Sequence, residues 1–113
     1  MRERQAMCKL KAMPAVPVKI VRFVDDHFPG WVECELIDAD GHVHVIRDKV
    51  PIFTAQLLDA HSEYPTLGDV RCETVKRFQD EKGRELARIW TPGIESTEGL
   101  SEFTVTANSV TVA

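Results

Sequence analysis

WVECELIDADGHVHVIRDKVP, residues 31–51, reads as a strand, a tight turn and a second strand. Val32, Cys34 and Leu36 alternate with Glu33 and Glu35, the period of two of a strand with one buried and one wet face. Asp38-Ala39-Asp40-Gly41 supplies the turn: the Asp bonds its own downstream backbone and the Gly takes the positive φ that closes a short hairpin loop. The return arm, His42 to Val50, is rich in β-branched residues and stops at Pro51, which has no N–H to give a ladder. This hairpin makes the chain mainly β and leaves its biochemical activity open.

Working outward, Val18 to Asp25 is a strand with apolar residues on both faces, and Asp26-His27-Phe28-Pro29-Gly30 is the turn into Trp31. After Pro51, Thr54 is placed to cap a single helical turn through Gln56, Leu57 and Leu58, with Phe53, Leu57 and Leu58 closing one end of the sheet. A second hairpin follows, 69–79 and 84–90 around Asp80-Glu81-Lys82-Gly83, and it repeats the first: Val70-Arg71-Cys72-Glu73 lines up with Val32-Glu33-Cys34-Glu35. Alternating strands look alike, so two matched tetrapeptides read as coincidence rather than duplication. Glu102 to Val112 closes the chain. Strands at 18–25, 31–37, 43–50, 69–79, 84–90 and 102–112 predict a small antiparallel meander. Closed to hide its edges, it forms a barrel-like, SH3- or OB-type single domain with one short helical turn.

One domain is all that 113 residues hold, and 43% hydrophobic with 28% charged residues is ordinary for a soluble protein. No apolar run approaches the roughly 18 residues of a membrane-spanning helix. The start, MRERQAMCKLKAMPAVP, has basic residues without the apolar stretch of a secretory signal. Three cysteines with no C-x-x-C spacing point to neither a disulfide framework nor structural zinc. A cytoplasmic protein is expected. Residues 1–16 hold Arg2, Arg4, Lys9 and Lys11 against Glu3, a net of +3, so the rest of a chain of net −4 carries −7 by difference. The expected division is a disordered basic tail, 1–16, and a β-barrel-like domain, 17–113. An acidic body disfavours a nucleic-acid groove. The exception is Arg71, Arg77, Arg84 and Arg88, if the long hairpin aligns them into a stripe.

His42 and His44 stand two apart on one strand, able to give a metal two ligands, with Asp40, Asp48 or Glu35 as a third. The commoner reading is a solvated hairpin face. Cys34 and Cys72 point inward and read as core residues before they read as nucleophiles, and Cys8 in the tail is the more reactive thiol. Glu95-Ser96-Thr97-Glu98-Gly99, with Glu102, forms an acidic patch, or a solvated loop in which Ser96 or Thr97 caps a turn. No G-x-S-x-G, P-loop or G-x-G-x-x-G is present, and no catalytic residue, metal ligand or cofactor is assigned. Trp31, Trp90, Phe28 and Tyr64 lie at strand ends or loops, where aromatics cap a core or line a groove. Trp31, Trp90, Glu95, Glu98 and Glu102 are the residues assigned to binding.

Phe23-Val24-Asp25-Asp26 with Pro29-Gly30-Trp31-Val32-Glu33-Cys34, then Asp48-Lys49-Val50-Pro51, then Glu95-Ser96-Thr97-Glu98-Gly99 with Glu102-Phe103, resembles a group of short bacterial proteins of unknown function. The resemblance covers most of residues 18–106 and implies no activity. The favoured expectation is a non-catalytic binding or accessory module that engages a protein partner with its acidic surface. The alternatives are a metal-dependent or thiol enzyme using His42 and His44, and nucleic-acid binding by the barrel face. An edge-paired homodimer is compatible with so small a sheet.

Overall fold

The computed structural model describes residues 13–112. Among these residues eight strands form two antiparallel sheets: β1 (Pro14–Asp25), β2 (Trp31–Ile37), β3 (Val43–Lys49), β4 (Thr66–Arg71), β5 (Glu73–Gln79), β6 (Glu85–Trp90), β7 (Glu102–Thr106) and β8 (Thr111–Val112). One sheet runs β3-β2-β1-β4, with β8 also on β1; the other runs β5-β6-β7. Neither closes into a barrel, so the expected SH3- or OB-type closure is corrected to two open sheets. A one-turn helix, α1 (Val50–Phe53), follows β3, and a 3-10 turn, Ala107–Ser109, separates β7 from β8.

The first hairpin forms as its alternation predicts. Val32, Cys34 and Leu36 are fully buried, and they pair across the ladder with Asp48, Ile46 and His44. The core is the space between the sheets. Val16, Val18 and Ile20 of β1 and Val70 of β4 join those β2 residues and Ile46, facing Ala87, Ile89, Phe103 and Val105 of the other sheet. The aromatic edge of that contact is His44 against Phe103, ring centroids 4.9 Å apart at 62°.

The expected strand 69–79 is two strands. The alternation runs unbroken through it, yet at Cys72 the chain leaves one sheet for the other. Cys72 N–H donates to the Pro14 carbonyl at 2.9 Å, and from Glu73 onward the partner is β6. Two open sheets joined by two crossings, at Cys72 and again at the Ala107–Ser109 turn between β7 and β8, bury a shared face, where a single meander would need a long curved sheet. The expected strand 102–112 is likewise divided, by the turn at Ala107–Ser109. Strand β1 starts at Pro14 with Val16 buried, inside the stretch expected to be tail; the rest of that tail, residues 1–12 with Cys8, lies outside the described residues.

The helical turn is also displaced. Pro51 suits a first helical turn because it lacks the N–H that would go unpaired there, and α1 forms around it. Thr54 ends that helix, and its Oγ1 accepts from Gln56 N–H at 3.1 Å without starting another. Phe53 is buried and Leu58 packs against the core, as expected, but Leu57 is 98% exposed.

Candidate functional site

A groove of about 670 Å³ lies between α1 with its following loop and the outer strand β4. Its walls include Phe28 and Pro29 from the β1–β2 turn, Ile52 and Leu57 from the helix and loop, and Asp69 and Arg71 from β4. Phe28 is 91% exposed and Leu57 98%, and Ile52 is also exposed. Three large apolar side chains thus face solvent around one groove, on a chain whose body is acidic. A second hollow of about 440 Å³ adjoins it, bounded by Phe53, Thr54 and Ala55 on one side and by Leu67, Gly68 and Asp69 on the other. What sets these walls is Gly68. A Cβ there would lie 2.8 Å from Ile20 Cδ1 and 2.9 Å from the Phe53 carbonyl oxygen, so only glycine lets α1 come so near β4.

The residues assigned to binding do not gather here. Trp90, Glu95 and Asp48 border a separate hollow of about 440 Å³. Glu102 is the cross-strand neighbour of Trp90, and Glu98 is exposed on the same loop as Glu95. Trp31 lies on the opposite face of the β2–β3 ladder: it pairs with Lys49, whose Nζ sits 4.9 Å from the indole centroid, and it borders a depression of about 470 Å³ with Arg22 and Arg47. The two tryptophans therefore border different hollows. Between Arg22 and Arg47, Glu33 Oε1 accepts from Arg22 Nη2 at 3.0 Å and Arg47 Nε at 2.9 Å. Those two bonds hold the Glu33 carboxyl below its usual range.

The histidine pair converges on a residue the sequence reading passed over as a third group. Asp38 Oδ2 is 2.9 Å from His44 Nε2 and 3.7 Å from His42 Nδ1. Asp38 Oδ1 already accepts from the backbone N–H groups of Asp40 and His42, both at 2.9 Å. Burial alone would raise the Asp38 carboxyl, but these bonds outweigh it and hold it below its usual range. Among the described residues, no group of three His, Cys, Asp or Glu side chains is arranged to hold a metal ion. Among the described residues, His44 Nδ1 is buried without a hydrogen-bond partner, and the ring packs against Phe103.

Cys34 and Cys72 are fully buried free thiols. Burial, with Glu33 and Asp48 nearby, pushes Cys34 up to about 12, and burial raises Cys72. Neither supplies a thiolate near neutral pH. The arginine stripe is dispersed. Arg71 stands on β4 in one sheet; on the other, Arg88 is opposite Lys76 while Arg77 is opposite Ala87, on the other face of that ladder. Arg84 is held by Asp80 Oδ2 at 2.7 Å, the Ala39 carbonyl at 2.8 Å and Asp40 Oδ1 at 3.2 Å.

Sequence reading missed Leu57 and the free edge of β4. The only signal was local: Leu57 and Leu58 are adjacent between Gln56 and Asp59, and wherever such a pair runs extended its two side chains point to opposite sides. No helix of the described residues is long and apolar enough to cross a membrane. Compared with protein-family models, with curated proteins and with solved structures, the chain gives no match.

Proposed function

We propose that this chain is a non-catalytic binding module that engages a protein partner, and that the groove between α1 and β4 is its contact surface. The observation that carries the reading is the exposure of Phe28 and Leu57 beside one groove. Nearly whole apolar side chains left in water on a small domain are stabilised when a partner covers them. The net charge of −7 outside the tail favours a partner with a basic surface, because complementary charge speeds encounter and rejects other acidic proteins. The buried, protonated Cys34 and the hydrogen-bonded Asp38 and His44 agree with a structural rather than a catalytic use of those side chains. The likeness to short bacterial proteins, and a bacterial cytoplasm as the setting, belong to the same proposal.

The test is affinity capture from the cells that make the protein. The bait is the full-length chain as wild type, Leu57→Asp and Lys82→Ala, each washed with and without EDTA. Leu57 has almost no packing to lose, so its variant folds. A protein held in stoichiometric amount by wild type and Lys82→Ala, lost with Leu57→Asp and indifferent to EDTA, is the expected result. Capture that is unchanged by Leu57→Asp, or that needs metal, overturns the reading.

A further inference from the structure

The backbone of β4 says what kind of segment the groove takes. In an antiparallel ladder only alternate residues bond to a given neighbour, and the others turn their N–H and C=O to the opposite side. Cys72 N–H donates to Pro14 O. The register Val16↔Val70, Val18↔Gly68 and Ile20↔Thr66 then puts the bonded pairs at these alternate positions. Pro17, which has no N–H, falls opposite Asp69 at an unbonded position, as this phase requires. Leu67, Asp69 and Arg71 consequently direct their backbone groups away from β1, and among the described residues those groups take no hydrogen bond. The chain after α1 passes beside this edge without pairing to it, leaving the two adjoining hollows between them.

The other sheet edges are treated differently. Strand β3 is met by the loop after β6, through Thr97 N–H to Val45 O at 2.7 Å, and β7 by the first hairpin tip, through Ala39 N–H to Thr104 O at 2.9 Å. Strand β5 carries Lys76 and Arg77 and a register irregularity between Thr74 and Lys76, features that discourage pairing. Strand β4 alone among them joins unpaired edge groups to an apolar groove.

Resting on the reading of this groove as the partner site, we infer that it binds by strand addition. An extended segment of the partner pairs its backbone with Leu67, Asp69 and Arg71 of β4 and lays alternate apolar side chains against Leu57, Ile52 and Phe28. The segment's other face is basic, matching the acidic body. A second copy is the weaker occupant, because pairing two β4 edges would bring two copies of the chain after α1 into the same gap.

The test uses the full-length chain and a capped Lys-Val-Lys-Val-Lys-Val-Lys peptide at millimolar concentration, with amide hydrogen exchange read by NMR. The expected result is slowing of the Leu67, Asp69 and Arg71 amides by about tenfold or more. N-methylation of one alternate set of peptide amides weakens binding by about tenfold or more, while methylation of the other set does not. A Glu-Val analogue of the same length binds more weakly. Absence of protection at those three amides, equal effects of both methylation patterns, or protection that rises with protein concentration without peptide each overturns strand addition. The capture experiment stays independent: a partner lost with Leu57→Asp but without protected β4 amides keeps the partner reading and removes this one.

Discussion

Gly68 is the residue on which the groove depends. Its missing side chain leaves room for the Phe53 carbonyl and for Ile20, and a backbone oxygen cannot swing aside. Gly68→Ala should therefore cost about 1–3 kcal/mol by overpacking, read as a lower urea midpoint. The thiols give a second test. With Cys8 replaced by Ser, Cys34 and Cys72 should react with a thiol reagent at pH 8 only as fast as the chain unfolds, since both are buried and raised. Fast labelling of either in the folded protein would contradict that. The carboxylates act in the opposite direction. Glu33, Asp38 and Asp80 are all lowered in the folded chain, Asp80 by its bonds from the Arg84 backbone and side chain. Below their ordinary values of about 4 the unfolded chain takes up protons that the folded chain refuses. The stability they contribute is thus complete above that range and lost as pH falls through the lowered values. Denaturant midpoints measured from pH 6 downward should fall there, less steeply in Asp80→Asn.

At the scale of the elements, three loops share one bonding scheme. In each, the first residue's N–H and O bracket the loop and its side-chain oxygen accepts from two backbone N–H groups. Asp38 does this for Asp40 and His42, Asp80 for Lys82 and Arg84, and Ser96 for Glu98 and Leu100. The following glycine has φ of 84°, 81° and 86° respectively. Two of these loops were legible because Asp and Gly at that spacing have a local cause, and Ser96 as a turn cap was legible for the same reason. The loop pair also joins the sheets, through Arg84 of the second tip bonding Ala39 and Asp40 of the first. Arg84→Ala should lower the urea midpoint and speed exchange at the first hairpin tip more than in the centre of β2. By contrast, the break at Cys72 has no local signal, because Val70, Cys72 and Thr74 keep perfect alternation while their partners change. Thr54 misled for a different reason: its backbone N–H closes α1 on the Val50 carbonyl, its side chain bonds only Gln56 N–H beyond the helix, and Pro51 set where the helical turn began.

In the whole molecule, what periodicity could not tell was closure. Alternation says which face is buried but not against what, so a closed barrel and two facing sheets predict the same residues inside. The difference matters for function. A barrel removes edges, whereas two open sheets leave several: β3 and β7 each meet a loop through one bond, β5 is charged, and β4 is set beside a groove. The site was legible only in part: Phe28 stood among the aromatics suited to a groove, while Leu57 was expected inside and Trp31 and Trp90 prove to border separate hollows. The proposed partner surface is centred on Leu57. The most direct measurement is photo-crosslinking in the cells that make the protein, with a photoreactive phenylalanine analogue in place of Leu57 in one strain and of Lys82 in another. One discrete protein adduct at position 57 and none at position 82 is the result this account predicts. No adduct at position 57, or the same adducts at both positions, would contradict it.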